Sequence, residues 1–402
     1  MSLAAYVGHG GHGGHGGFSG PASPLSGTNP AQIGEFGYNF ASAPHSPMLS
    51  NALRVARGAI IRDGRTEVDG DKFPTAEPNS SSLEHLDMYP RSAVVDWELL
   101  SGLDLATHLN ADPDQEGDRV ILSHRTTDGT TMPFLELIAP GRDVFAKQLV
   151  HVGDAAGERE ERFDEINIQL ADLLSFYTGL TFIHPARQPH VMEFVRSALR
   201  FCVLVEFRIK HAFTRPRPVA FSSSVMPIIQ TPSHSTLPSG HATEAFFLAT
   251  LFKHFYSTSG AGDADKHAGF CNEMAVRIAH NRTVAGVHFP VDSAAGAVLG
   301  TALANYVLAR FSANGTDESQ LKNQKCDTRK YGGARFDYAD YVELAAQRQP
   351  LDSCGPILSD VQPAEGVTGI AEHPLALNPQ LNWLWGKCVT ELQHSQYTED
   401  DG

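Results

Sequence analysis

The sequence predicts an all-α protein, an antiparallel helical bundle with an anion site in its core. Apolar residues recur at helical spacing over much of 160–310, whereas strand-type alternation is scarce. Pro216 and Pro218 close one helical run, and Gly286 and Pro290 interrupt another.

The elements follow in order. Phe163, Ile166, Leu170, Leu173, Leu174 and Tyr177 lie three or four residues apart, which puts them on one helix face from 160 to 178. Val191, Phe194, Val195, Ala198, Leu199, Cys202, Val203 and Leu204 define a second helix, which carries Lys210 near its end. Further helices are expected at 242–256, 272–284 and 290–310. Facing helices of this kind place a polar site between them.

Four regions are expected: a flexible Gly/His/Ser/Pro-rich tail at 1–50, an N-terminal helical and irregular layer at 51–155, the oxyanion-binding bundle at 156–312, and a loop-rich extension at 313–402. In the tail, His9, His12 and His15 could catch a transition metal, but the glycines around them cost too much entropy to hold a site alone. In the extension, Trp383 and Trp385 are expected to pack onto the bundle or onto a second subunit, so a homodimer is possible.

Composition removes several function classes. The 402 residues carry a formal charge of −15, which argues against a nucleic-acid partner. The most apolar run, Ala294 to Leu308, is interrupted by Thr301 and Asn305 and reads as a small-residue core helix, so no membrane span is expected. The five cysteines have no metal-ligand spacing, and Cys202 and Cys271 read as buried thiols. Met1 to Phe18 lacks the basic and apolar parts of a signal peptide, which leaves a cytoplasmic protein or one exported without a recognisable signal.

Three segments converge on one chemistry. They are Lys210 to Pro218 (K-H-A-F-T-R-P-R-P), Pro238 to His241 (P-S-G-H), and Asn281 to Asp292 (N-R-T-V-A-G-V-H-F-P-V-D). A tetrahedral oxyanion needs positive charge on several sides and donors at a helix start. Lys210, Arg217 and Arg282 supply the charge, and Ser239 and Gly240 stand where a loop enters a buried helix. His241 at that threshold can exchange a proton with an anion oxygen. A break at Gly286 and Pro290 lets His288 swing back towards the anion, and Asp292 could accept its other ring N–H. Arg208 and Arg215-Pro216 repeat the first spacing two residues earlier; with Lys210 and Arg217 as the frame, they become surface or ion-pair residues.

The pattern Lys-x6-Arg-Pro, Pro-Ser-Gly-His and Arg-x5-His-x3-Asp resembles the superfamily of type 2 phosphatidic acid phosphatases and vanadium-dependent haloperoxidases, over about residues 160 to 310. Asn281 departs from it, standing where the phosphatases usually have Ser. The resemblance implies that Lys210, Arg217, Ser239, Gly240, Arg282 and His288 bind the anion. In the phosphatases the residue matching His288 attacks phosphorus, and the one matching His241 protonates the leaving alcohol. In the haloperoxidases the cofactor is vanadate, with His288 as the vanadium ligand. Hydrogen peroxide, polarised by Lys210, then oxidises a halide to hypohalous acid, which modifies a small organic acceptor.

His234, five positions before Ser239, favours the second branch. The resemblance places a histidine there in bromide- and iodide-oxidising enzymes and Phe in chloride-oxidising ones; a polar loop histidine is the plainer alternative. Phe207 falls where many haloperoxidases have a Trp lining the halide site, and a core aromatic explains it equally well. A haloperoxidase favouring bromide or iodide is therefore the leading expectation, with an acid phosphatase forming a phosphohistidine as the alternative.

Overall fold

The computed structural model describes residues 47–60, 83–84, 86, 88–110, 117–260, 264–311, 321–333, 335–350, 352–361 and 378–394. Helices α1 (Pro47–Ile60) and α2 (Met88–Ser101) precede strands β1 (Leu103–His108), β2 (Arg119–Arg125) and β3 (Thr131–Ile138). A helical stretch follows: α3 (Arg142–Ala155), α4 (Arg159–Gln169), α5 (Leu174–Thr178), α6 (Pro189–Phe213), α7 (Pro218–Phe221), α8 (Gly240–Ser259), α9 (Ala264–Val284) and α10 (Pro290–Phe311). The chain continues through β4 (Gln324–Asp327), α11 (Tyr338–Ala345), β5 (Leu358–Asp360) and α12 (Pro379–Gln393). The tail histidines His9, His12 and His15 lie outside the described residues.

The all-α expectation needs correction. Helices dominate, but a mixed five-stranded sheet runs in the order β1-β2-β3-β4-β5, antiparallel at each step except the parallel β3–β4 pair. The expected N-terminal helical and irregular layer thus contains three strands, and the expected loop-rich extension contributes two more to the same sheet. Part of this was readable: Val120, Leu122 and His124 are buried at period two on β2, and Asp128-Gly129 turns the chain into β3. The rest was obscured. Pro133 interrupts the donor pattern of β3, the β2–β3 register shifts between Leu122 and Ser123, and β4 and β5 have only four and three residues.

The helical run expected at 160–178 is divided, because α4 ends at Gln169 and α5 starts at Leu174. The second run is one helix, Pro189–Phe213, closed by Thr214 in the left-handed conformation (φ 48°) ahead of Pro216. One continuous hydrophobic core joins sheet to bundle. The Tyr306 ring stacks on Phe134 of β3 at 5.6 Å and on Phe201 of α6 at 5.5 Å. Trp385 of α12 packs against Phe194 at 5.5 Å, and Trp383 against His190 at 6.1 Å, so both face the bundle. Cys202, Cys271, Cys326 and Cys388 are buried free thiols, and Cys354 is exposed.

Two helices set the site. A Cβ on Gly300 of α10 would lie 2.1 Å from the Thr243 carbonyl oxygen, and one on Gly296 would lie 2.8 Å from that of Ser239. Small residues there let α10 lie against the N-terminal turn of α8, and the Ser239 N–H bonds the Asp292 carbonyl at 3.0 Å. By length and apolarity α10 could cross a membrane, yet 89% of its apolar window is buried within the fold.

Candidate active site

The bend expected between Arg282 and His288 is present. Helix α9 ends at Val284, Gly286 adopts φ +82°, and α10 starts at Pro290. Arg159 secures the break, donating to the Val284 carbonyl at 3.0 Å and to the Val225 carbonyl at 2.9 Å. His288 is thereby returned to the buried space beside α8.

Asp292 fixes the orientation of that imidazole. Its Oδ2 accepts from Thr236 Oγ1 at 2.6 Å and Phe289 N–H at 2.8 Å, and lies 3.2 Å from His288 Nδ1. A carboxylate oxygen accepts, so Nδ1 carries the hydrogen and Nε2 keeps its lone pair. Arg217 Nη1 stands 3.2 Å from that Nε2. Burial, followed by the charges of Arg217 and Lys210, pushes the His288 pKa well below 6.5. The ring is therefore neutral at physiological pH, as an attacking or ligating nitrogen must be.

Arg217 caps α7 with a proline after it, and its guanidinium reaches back into the site. Besides His288, it donates to the His234 carbonyl at 3.0 Å and the Val287 carbonyl at 2.9 Å, with Nη2 3.3 Å from His234 Nδ1. Phe207 lies across the His234 ring at 5.2 Å. Phe207, His234, Arg217 and His288 thus form a continuous wall.

Lys210 is buried with its ammonium on the loop that leads into α8. It donates to the carbonyls of Ser235, at 3.3 Å, and Pro238, and lies 3.7 Å from Glu206 Oε1. Burial lowers the Lys210 pKa and raises that of Glu206, each opposed by the partner's charge. Ser239 caps α8, its Oγ accepting from the Ala242 N–H at 3.5 Å, so this hydroxyl has a helix-capping role in addition to any role towards an anion.

The third side contains His241 and Arg282. His241 Nε2 lies 3.2 Å from the Gln169 backbone carbonyl, which can only accept, so this nitrogen carries a hydrogen and Nδ1 is the lone-pair nitrogen of the neutral ring. Arg282 is fully buried and donates from Nη2 to Gln169 Oε1 at 2.7 Å, whereas its Nε and Nη1 have no partner among the described residues. Burial pulls Arg282 down to about 9 and Arg217 down to about 10, which leaves both charged at neutral pH. Buried guanidinium donors with nothing to bond call for an acceptor. Among the described residues, no cluster of three or more His, Cys, Asp or Glu side chains could hold a metal cation. The donor set instead suits a tetrahedral oxyanion.

The structure brings Lys210, Arg217, His234, Phe207, Ser239, His241, Arg282, His288 and Asp292 towards this one region. Arg208 is exposed, and Arg215 is a buried ion-pair residue 2.9 Å from Asp118. Thr236, Gln169 and Glu206 were missed. An i,i+4 acid preceding Lys210 was a usable signal for Glu206; Thr236 and Gln169 had none.

A pocket with buried Lys and Arg donors at a helix start, beside a neutral histidine held by a carboxylate, suits an oxyanion. Residues 194–315 match the family model of the PAP2 superfamily. That superfamily takes in type 2 phosphatidic acid phosphatases and vanadium haloperoxidases, so the match points to an enzyme of one of these kinds. No curated protein matches the chain.

Proposed function

We propose that the protein is a vanadium-dependent haloperoxidase that uses hydrogen peroxide to oxidise bromide or iodide to hypohalous acid, which then modifies a small organic acceptor. The observation that carries this reading is His234, whose Nδ1 lies 3.3 Å from Arg217 Nη2 beside His288. An imidazole on the wall of the anion site gives an approaching halide a hydrogen-bond donor, which a phosphatase does not need.

Vanadate fits the donor set: Lys210, Arg217, Ser239, Gly240 and Arg282 would hold its oxygens, and His288 Nε2 would ligate vanadium. When bound, it would supply a Lewis-acid centre that activates peroxide towards halide. The chain's own residues do the rest. Asp292 keeps His288 in the tautomer whose Nε2 is a donor of electrons. Peroxide plus halide plus a proton gives hypohalous acid and water, and His241 would deliver that proton.

The same His288 Nε2 also supports a second reading, an acid phosphatase in which this nitrogen attacks phosphorus to form a phosphohistidine. Assays of peroxide-dependent bromination and of phosphomonoester hydrolysis, each with and without added vanadate, separate the two. The haloperoxidase reading expects bromination that depends on vanadate and is depressed by phosphate. Full bromination by vanadium-free protein, or ester hydrolysis that vanadate only inhibits, would overturn it.

A further inference from the structure

Gln169, the last residue of α4, is fully buried, and sequence spacing gives no hint of it. Its backbone carbonyl faces His241 Nε2 at 3.2 Å, and its side-chain Oε1 accepts from Arg282 Nη2 at 2.7 Å and Asn281 Nδ2 at 3.1 Å. Its Nε2 is buried with no partner among the described residues.

The polarity of this cluster is fixed from both ends. Arg162 Nη1 can only donate, so the Asn281 atom 3.2 Å away is the carbonyl oxygen. The Asn281 amide nitrogen then donates to Glu165 Oε2 at 3.1 Å and to Gln169. Two donors, Asn281 and Arg282, meet Gln169 on one side, so the acceptor oxygen must lie there and the NH2 group on the other. Gln169 Nε2 is therefore left as a donor, as are Arg282 Nε and Nη1. Asn281, which departs from the resemblance, is the hinge of this orientation.

We infer that Gln169 is a positioning residue of the oxyanion site: it holds Arg282 through a neutral oxygen, so the guanidinium charge stays available to the anion, and it turns its amide NH2 and the His241 ring towards the same guest. A carboxylate in its place would hold Arg282 equally well in geometry but would neutralise it. Charge neutrality at 169 thus favours anion affinity at the expense of fold stability, since the buried guanidinium has only the more distant attraction of Glu165 and no carboxylate bonded to it.

The inference rests on the oxyanion pocket, whichever of phosphate or vanadate fills it. The test uses Gln169→Glu and the near-isosteric, uncharged Gln169→Met. For the full chain, inorganic phosphate and orthovanadate binding is measured by calorimetry, and the thermal midpoint is recorded beside it. Gln169→Glu should bind both anions at least about tenfold more weakly, from the added charge beside the site, with an unchanged or higher thermal midpoint. Gln169→Met should bind several-fold more weakly. A purely structural role predicts that affinity and midpoint fall together in Gln169→Glu; that result, or unchanged affinity in either folded variant, overturns the inference. Wild-type protein that binds neither anion would instead overturn the pocket reading on which it rests.

Discussion

Replacing Asp292 with alanine tests the orientation of His288 most sharply. Three donors converge on Asp292 Oδ2: Thr236 Oγ1 at 2.6 Å, the Phe289 N–H at 2.8 Å and His288 Nδ1 at 3.2 Å. A buried donor left unpaired costs about 1–3 kcal/mol, and the Thr236 hydroxyl can rotate to recover part of this. The expected loss is about 3–6 kcal/mol, a large share of the roughly 5–15 kcal/mol typical of a folded protein. Asp292→Asn keeps an acceptor and loses only the charge, so it should cost about 1–3 kcal/mol. Losing the support of a ligating histidine typically reduces affinity or activity by about 10–100-fold, and Asp292→Ala should fall in that range. Denaturant unfolding and calorimetric titration with vanadate and phosphate provide both numbers. If Asp292→Ala kept wild-type stability and anion affinity, the carboxylate would not be what fixes the His288 tautomer.

Three further outcomes are expected. His241→Ala should lose about 10²–10⁴-fold in turnover while retaining most of its vanadate affinity; loss of affinity with no separate kinetic defect would place the ring among the binding groups only. His234→Ala should depress bromide oxidation more than iodide oxidation, because bromide is the more strongly hydrated and harder to oxidise; equal losses at saturating peroxide and checked vanadium content would return His234 to a polar loop residue. Anion affinity should decline as pH rises above neutrality, well short of the ordinary lysine value of 10.5, because burial makes the Lys210 ammonium easier to deprotonate against the opposing charges of Glu206, Glu244 and Asp292. Protonated Lys210 attracts the anion and neutral Lys210 does not, so Lys210→Arg, permanently charged, should flatten that decline; an identical profile in calorimetry would assign it to the anion's own titration.

Much of the site was legible because its charged and helix-entry residues fall in three short segments with fixed internal spacing. Lys210 and Arg217 flank the end of α6, and Arg282 and His288 flank the Gly286 break, so local chain geometry alone brings each pair towards one place. The supporting groups were less readable. Gln169 reaches Arg282 across 113 positions, a pairing made by helix packing and by no local rule. The bundle was readable from its periodic apolar faces, whereas of the sheet only β2 and its turn into β3 carried a signal. Strand β4 reaches β3 from the far side of the bundle in sequence, and a four-residue strand next to a three-residue one carries no period to detect.

The proposed haloperoxidase requires the pocket around His288 to hold vanadate as a working cofactor. Its most direct test is to titrate metal-free protein with orthovanadate, following bound vanadium and peroxide-dependent bromide oxidation together. The account predicts that both rise in parallel and saturate at about one vanadium per chain, and that His288→Ala abolishes the oxidation while remaining folded. Vanadium that binds without any halide oxidation, in a protein that hydrolyses phosphomonoesters when vanadium-free, would contradict it.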